Sequence, residues 1–310
     1  MERFGREFLD RVIGDIREVR LYDEALAART SLGVGGPADA LIFPESEREM
    51  ERLAQRCWDA EIPLFVFGAG TNLLVRDGGI RGVVACLLGV LDSVETATED
   101  DGSVRLEVGA GVPLSRLVKL SVDQELEGLE WAVGIPGTVG GALAMNAGAA
   151  GGSISEVVTD LRLVDRRGGI SVKPARSFTF EYRSSNLPAQ GTLLRVALEL
   201  RRGDRGKIEE RLQRLLAYRR RTQPLGARSA GCVFRNPPGR QAARLIEGAG
   251  FKGRQVGGAR VSSLHANFIC NGGGATARDV LTLMEEIRAG VLEHTGVLLE
   301  DELCVVGEET

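Results

Sequence analysis

Gly134-Ile135-Pro136-Gly137-Thr138-Val139-Gly140-Gly141-Ala142-Leu143-Ala144-Met145-Asn146-Ala147-Gly148 is built almost wholly of small residues. Few of these side chains can fill a core, so the stretch lets backbone donors approach a large flat or phosphorylated ligand. A small-residue helix packed closely against a neighbour explains the same composition. A second stretch, Phe67-Gly68-Ala69-Gly70-Thr71-Asn72-Leu73-Leu74, begins like a dinucleotide fingerprint. Its third glycine position is Leu73, and Asp77-Gly78-Gly79 breaks the chain before a long helix can follow, which disfavours a Rossmann site. What remains is either a turn whose N–H groups, with Thr71 and Asn72, cradle phosphate, or a tight structural turn.

These stretches belong to a wider excess. Glycine supplies 41 of the 310 residues, about 13% against about 7% in ordinary proteins. Residues 33–36, 68–82, 134–152 and 248–274 hold 23 of the 41. The remainder of the chain stands at the ordinary level, so the excess marks particular loops that wrap something.

Bulk composition excludes several classes. The net charge of −4 draws the chain to neither nucleic acid nor an anionic membrane. Five cysteines, with no C-x-x-C pair, argue against a disulfide framework or a zinc site, so no metal is expected. The N-terminus lacks the apolar core of a signal peptide, and the longest apolar run, Val83 to Leu91, has nine residues. That is too short for a bilayer, which takes about 20. The expectation is a cytoplasmic protein.

Periodicity sorts the chain into modules. Ser46 and Glu49 resemble a capping box, and Met50, Leu53, Ala54, Cys57 and Trp58 give helical spacing, so 46–60 reads as an amphipathic helix. Leu41–Phe43, Leu64–Phe67 and Val83–Leu88 read as strands, making residues 30–90 a β-α-β-β unit. A strand over 104–109, a helix from Pro113, a hairpin around Arg167-Gly168-Gly169 and a strand over 192–200 follow. Gly203 to Gly206 holds the best linker candidate. Beyond it come helices around Ile208–Arg221 and Val280–Val291 and a closing strand, Val297 to Val306. A further helix is expected from Phe4 to Val19. The class is α+β with three domains, 1–92, 93–204 and 205–310, the last strand being free to pack back on the first of them.

Five motifs occur in order: Gly-Ala-Gly-Thr-Asn-Leu-Leu at 68–74, Gly-Ile-Pro-Gly-Thr-Val-Gly-Gly-Ala at 134–142, Tyr182-Arg183-Ser184-Ser185, Gly231-Cys232-Val233-Phe234-Arg235-Asn236-Pro237 and Leu299-Glu300-Asp301-Glu302. Together they resemble the UDP-N-acetylenolpyruvoylglucosamine reductases, flavoenzymes of peptidoglycan precursor synthesis. The resemblance implies FAD held by two domains of the vanillyl-alcohol oxidase type, then a C-terminal α+β substrate domain. It places Gly68, Ala69, Gly70, Thr71, Asn72, Leu73, Gly134, Pro136, Gly137, Thr138, Gly140, Gly141, Ala142, Asn146 and Gly148 at the cofactor. The implied substrate is UDP-N-acetylglucosamine enolpyruvate, the hydride donor NADPH and the expected state a monomer. Alternatives are another FAD-dependent oxidoreductase on the same cofactor fold, or a non-catalytic nucleotide-sugar-binding protein.

In that family hydride passes from NADPH through the flavin to the enol carbon C3, and a proton arrives at C2. Such chemistry calls for a cation at the substrate carboxylate and for a proton donor. Arg183 matches the catalytic arginine and Glu302 the catalytic glutamate. Cys232 stands where well-known members carry the serine that protonates C2; a thiol can do the same work, or merely fill the site while water donates. Arg219, Asn236 and His265 match substrate contacts. Only about twenty residues separate Arg183 from residue 206, which resembles the short-loop subclass and leaves the UDP clamp to the C-terminal domain.

Overall fold

The computed structural model describes residues 3–14, 16 and 20–309, and among them three sheets of four or more strands follow one another along the chain, with three two-stranded ones besides. The first sheet runs in the order Arg20–Ala25, Pro37–Ile42, Ile80–Cys86, Leu64–Phe67, antiparallel at its first pair and parallel thereafter. Every residue of Ile80–Cys86 is buried, the usual state of an inner parallel strand. This strand starts three residues before the apolar run at Val83 because Arg81 is hidden within it. Arg81 Nη1 pairs with Asp39 Oδ1 at 2.5 Å and Nη2 donates to Gly78 O at 2.8 Å. A guanidinium can be buried only with such partners.

The helix Glu47–Asp59 turns Met50, Leu53, Ala54 and Cys57 to the core, while Trp58 stays outside beneath the Arg167 guanidinium. Ser46 Oγ accepts from Glu49 N at 3.2 Å, but Glu49 Oε2 accepts from Glu45 N, so the capping box is half formed. The N-terminal helix expected over Phe4–Val19 is described as Arg6–Ile13, and Val19 lies outside the described residues. Strands Arg20–Ala25 and Leu73–Val75 had no periodic signal.

The second sheet is antiparallel, in the order Ile170–Pro174, Val158–Val164, Thr192–Arg202, Val104–Gly109, Val94–Thr98. The hairpin turn at Arg167-Gly168-Gly169 joins its first two strands. One core cluster runs from the helix Glu47–Asp59 through Val83 and Ala85 into Leu106, Leu161 and Leu198, so the first two sheets share an interior.

Gly203 to Gly206 is a tight joint, not a linker. Asp204 Oδ1 accepts from Lys207 N at 2.9 Å and caps the helix Arg205–Thr222, which takes Gly206 into its first turn. The third sheet, Ser229–Cys232, Phe268–Asn271, Ala259–Val261, Gln255–Val256, packs against the helix Ala277–Thr295. Asp77, from the first sheet's region, accepts from Ala277 N at 2.8 Å and Arg278 N at 3.0 Å and so ties that helix to the N-terminal half.

The closing strand is only Cys304–Val306, paired in parallel with Leu73–Val75. Residues 297–303 form no ladder because they are tied elsewhere. Glu302 N and Leu303 N both donate to Val233 O, and Asp301 bridges Phe234. The architecture is α+β. No helix among the described residues is long and apolar enough to cross a membrane.

Candidate active site

A cavity of about 1000 Å³ lies between the first two sheets, at the upper end of the range of about 300–1,000 Å³ usual for ligand pockets. Phe65, Val66 and Phe67 of the strand Leu64–Phe67 form one wall, and Ala110, Val164 and Leu193 belong to the other. Gly68, Thr138, Gly140 and Gly141 also line it. A flavin dinucleotide combines planar rings with a diphosphate: the apolar walls suit the rings, and the glycine backbone suits the phosphates. Asn146 Oδ1, buried nearby in sequence, has no hydrogen-bond partner. The residues present fit FAD.

The two glycine stretches meet each other. A Cβ on Gly68 would lie 2.1 Å from Thr138 Oγ1, so only glycine permits this contact. Thr71 Oγ1 donates to Pro136 O at 3.3 Å. Thr138 Oγ1 accepts from Gly141 N and caps the short helix Val139–Ala144. The small-residue helix and the ligand wall are thus the same segment. Gly134 needs its glycine for other reasons: its φ is +72°, and the Arg219 Cδ would stand 3.2 Å from a Cβ there.

Beyond the cavity, three motifs converge. Phe180–Glu181 and Ser184–Ser185 form a two-residue hairpin whose tip holds Tyr182 and Arg183, the latter at φ 57°. A non-glycine residue there is strained and is held by its surroundings. Ser185 Oγ donates to Ala144 O at 2.8 Å, Asn146 Nδ2 to Glu181 O at 3.0 Å, and Arg183 Nη1 to Gly148 O at 2.7 Å. The hairpin therefore hangs on the segment that follows the cavity wall.

Arg183 Nε stands 2.9 Å from Glu302 Oε1, an ion pair whose N–H direction misses the line of a hydrogen bond. Asn72 Nδ2 donates to Glu302 O at 3.0 Å. Burial pushes the Glu302 carboxyl above the usual carboxylate range, against the pull of Arg183 and Arg235. Burial pushes the Cys232 thiol up to about 12; the Glu302 charge adds to this, and Arg183 and Arg219 oppose it. Burial, then the charge of Arg183, lowers Arg219. One thiol, one carboxyl and three guanidiniums therefore share a poorly solvated site.

The other sequence-derived residues make the following contacts within the chain. Leu73 and Ala142 are buried in core clusters, and Gly70 packs against the Arg29 carbonyl. Asn236 Oδ1 accepts from Ala242 N at 2.9 Å at the start of the helix Ala242–Gly248, and its Nδ2 donates to Tyr182 Oη at 3.2 Å. His265 packs edge-on to Phe268; burial lowers it, and the charges acting on it are Lys252 and Glu247 rather than those of the arginine cluster. The sequence reading passed over Arg235, whose Nη2 donates to Arg183 O at 3.3 Å and whose charge acts on Glu302. It also passed over Asn267. Each lay beside a more conspicuous neighbour, Asn236 and His265.

Known proteins match this arrangement in both halves. The family profile described as FAD binding domain matches residues 38–172. The profile for the UDP-N-acetylenolpyruvoylglucosamine reductase C-terminal domain matches residues 223–306. A UDP-N-acetylenolpyruvoylglucosamine reductase of Syntrophus aciditrophicus is 42% identical over 289 residues, covering 93% of this chain and 92% of its own. The chain belongs to the UDP-N-acetylenolpyruvoylglucosamine reductase family. Another member, from Anaeromyxobacter, is 45% identical over 96% of this chain and 91% of its own. The crystal structure of the Thermus caldophilus reductase superposes with a TM-score of 0.77 at 37% identity, covering 93% of this chain and 98% of that one. A berberine bridge enzyme-like protein of Physcomitrella patens shares the fold alone, with a TM-score of 0.50 at 14% identity over 63% of this chain and 44% of its own. The reductase is a flavin-dependent oxidoreductase, and its cofactor is FAD.

Proposed function

We propose that this reductase converts UDP-N-acetyl-3-O-(1-carboxyvinyl)-glucosamine to UDP-N-acetylmuramate, with NADPH as hydride donor, in cytoplasmic peptidoglycan precursor synthesis. The observation that carries the assignment is the half-buried group of Cys232, Glu302, Arg183 and Arg219, in a chain that also holds an FAD-sized cavity between its first two sheets. In this reading residues 1–92 and 93–204 hold FAD, and residues 205–310 supply the substrate domain.

Bound FAD supplies hydride transfer to the enol carbon C3. Arg183 faces the substrate carboxylate, where negative charge grows as C3 becomes saturated; its planar fork stays charged and suits two carboxylate oxygens. Glu302 fixes that fork through the ion pair at 2.9 Å. Cys232 donates the proton to C2. A donor must hold its proton until the moment of transfer, and a thiol pushed up to about 12 does so at every physiological pH. Donation leaves a thiolate next to Arg183 and Arg219, the charges that favour it, and water then returns the proton. Arg219, on the helix Arg205–Thr222, supplies a further cation for the diphosphate.

The test is NADPH oxidation by the FAD-loaded protein with and without UDP-N-acetylglucosamine enolpyruvate. Oxidation that depends on this substrate and yields one UDP-N-acetylmuramate per NADPH supports the assignment; a rate indifferent to the substrate contradicts it.

A further inference from the structure

Proton donation requires Cys232 and the Arg183–Glu302 pair to keep a fixed separation, and one buried side chain holds the segment between them. Asn267 is 3% exposed. Its Oδ1 accepts from Phe234 N at 3.0 Å and its Nδ2 donates to Phe234 O at 2.7 Å. Its own carbonyl accepts from Val233 N at 2.9 Å. The ladder between Ser229–Cys232 and Phe268–Asn271 ends at the Cys232–Phe268 pair. Past that point the Asn267 amide takes the place of a strand and satisfies both backbone groups of the buried Phe234. On the opposite side, Val233 O accepts from Glu302 N at 2.8 Å, and Arg235 N donates to Glu300 O at 2.8 Å. Residues 232–235 are therefore pinned between Asn267 and residues 300–303.

We propose that Asn267 is a positioning residue that sets Cys232 and Glu302 in register for the protonation step. The role rests on Cys232 being the proton donor. An apolar side chain at this position would leave the Phe234 N–H and C=O buried without partners, and the segment would have to move to recover them. A displacement of about 1 Å at a reacting group costs on the order of 10²-fold in rate. Asn267 lies beside the third sheet and is not among the residues lining the cavity between the first two, so FAD binding and reduction by NADPH are expected not to depend on it.

The experiment uses the FAD-loaded protein without oxygen and follows flavin absorbance in two phases. NADPH bleaches it, and UDP-N-acetylglucosamine enolpyruvate restores it. Asn267→Ala and the isosteric Asn267→Asp should keep wild-type flavin content and bleaching rate, while recovery slows by about 10²-fold in Asn267→Ala. Cys232→Ala, run alongside, separates the two ideas. A wild-type recovery rate in Cys232→Ala defeats the donor assignment. Slow recovery in Cys232→Ala with wild-type recovery in both Asn267 variants defeats the positioning role alone. Equal slowing of both phases, or loss of FAD from both variants, would make Asn267 a folding residue and overturn the proposal. If only Asn267→Ala loses FAD, Asn267→Asp decides, with slowed recovery expected.

Discussion

Arg183 at the tip of a hairpin in the middle of the chain and Glu302 near its end form one ion pair, Nε to Oε1 at 2.9 Å. The pair joins the hairpin that hangs on the segment after the cavity wall to the C-terminal domain. It also aligns a planar cation that a lysine cannot imitate, because an ammonium presents no fork. Arg183→Lys should retain FAD and its bleaching by NADPH, while kcat with the enolpyruvyl substrate falls by about 10²–10³, the cost of one donor at a developing anion. Steady-state assays with parallel flavin spectra check this, and a loss below tenfold would count against contact between Arg183 and the reacting carboxylate.

Glu302 makes a prediction about stability. Burial raises its folded value above the ordinary one, so the folded protein holds this proton more tightly than the unfolded chain. The group's contribution to stability is complete below the ordinary carboxylate value of about 4.3 and is lost as pH rises through the folded value. Glu302→Gln is always neutral and escapes that loss. Its melting temperature should exceed the wild-type value at neutral pH, with the gap closing as pH falls, even as turnover is impaired. A mutant less stable than wild type at neutral pH would mean that the pairing with Arg183 and Arg235 outweighs burial.

Gly68 and Thr138 seal the edge of the cavity. A Cβ at 2.1 Å from Thr138 Oγ1 cannot be accommodated without moving one loop. Gly68→Ala should cost about 1–3 kcal/mol of stability, as overpacking generally does, and should lower the flavin content of the purified protein. Gly89, whose added Cβ would meet nothing within 4 Å, is the control site despite its own φ of +75°. Thermal melts and the flavin-to-protein absorbance ratio read both effects.

Much of the fold was legible because it is written in local periodicity. The helix Glu47–Asp59 follows from apolar spacing and its cap, Ser46, and the helix Ala277–Thr295 from apolar spacing, its Thr276 cap showing only in the structure. The start of the strand Ile80–Cys86 was not legible, since Arg81 looks like a surface residue until Asp39 is brought to it. Residues 297–303 look like a strand by composition, yet their N–H groups go to Val233 and their shape follows from that tie. Composition alone could not separate the roles of the glycine loops. Gly68 and Gly140 line the cavity, whereas Gly134 makes room for Arg219. Arg183, Cys232 and Glu302 come together through motif likeness and long-range packing, not through spacing. Arg235 and Asn267 act on partners distant in sequence, so nothing local marked them.

The most direct test is the rate at which the enolpyruvyl substrate restores flavin absorbance in a single turnover, compared among wild type, Cys232→Ser and Cys232→Ala. Cys232 holds its proton up to about 12, so the wild-type rate should show no alkaline loss from this group between about pH 6 and about pH 10. Cys232→Ser keeps a proton donor and should remain active. Cys232→Ala should bleach normally with NADPH but recover about 10²–10⁴-fold more slowly, the range for loss of a general acid. Recovery of Cys232→Ala at the wild-type rate would contradict proton donation by Cys232.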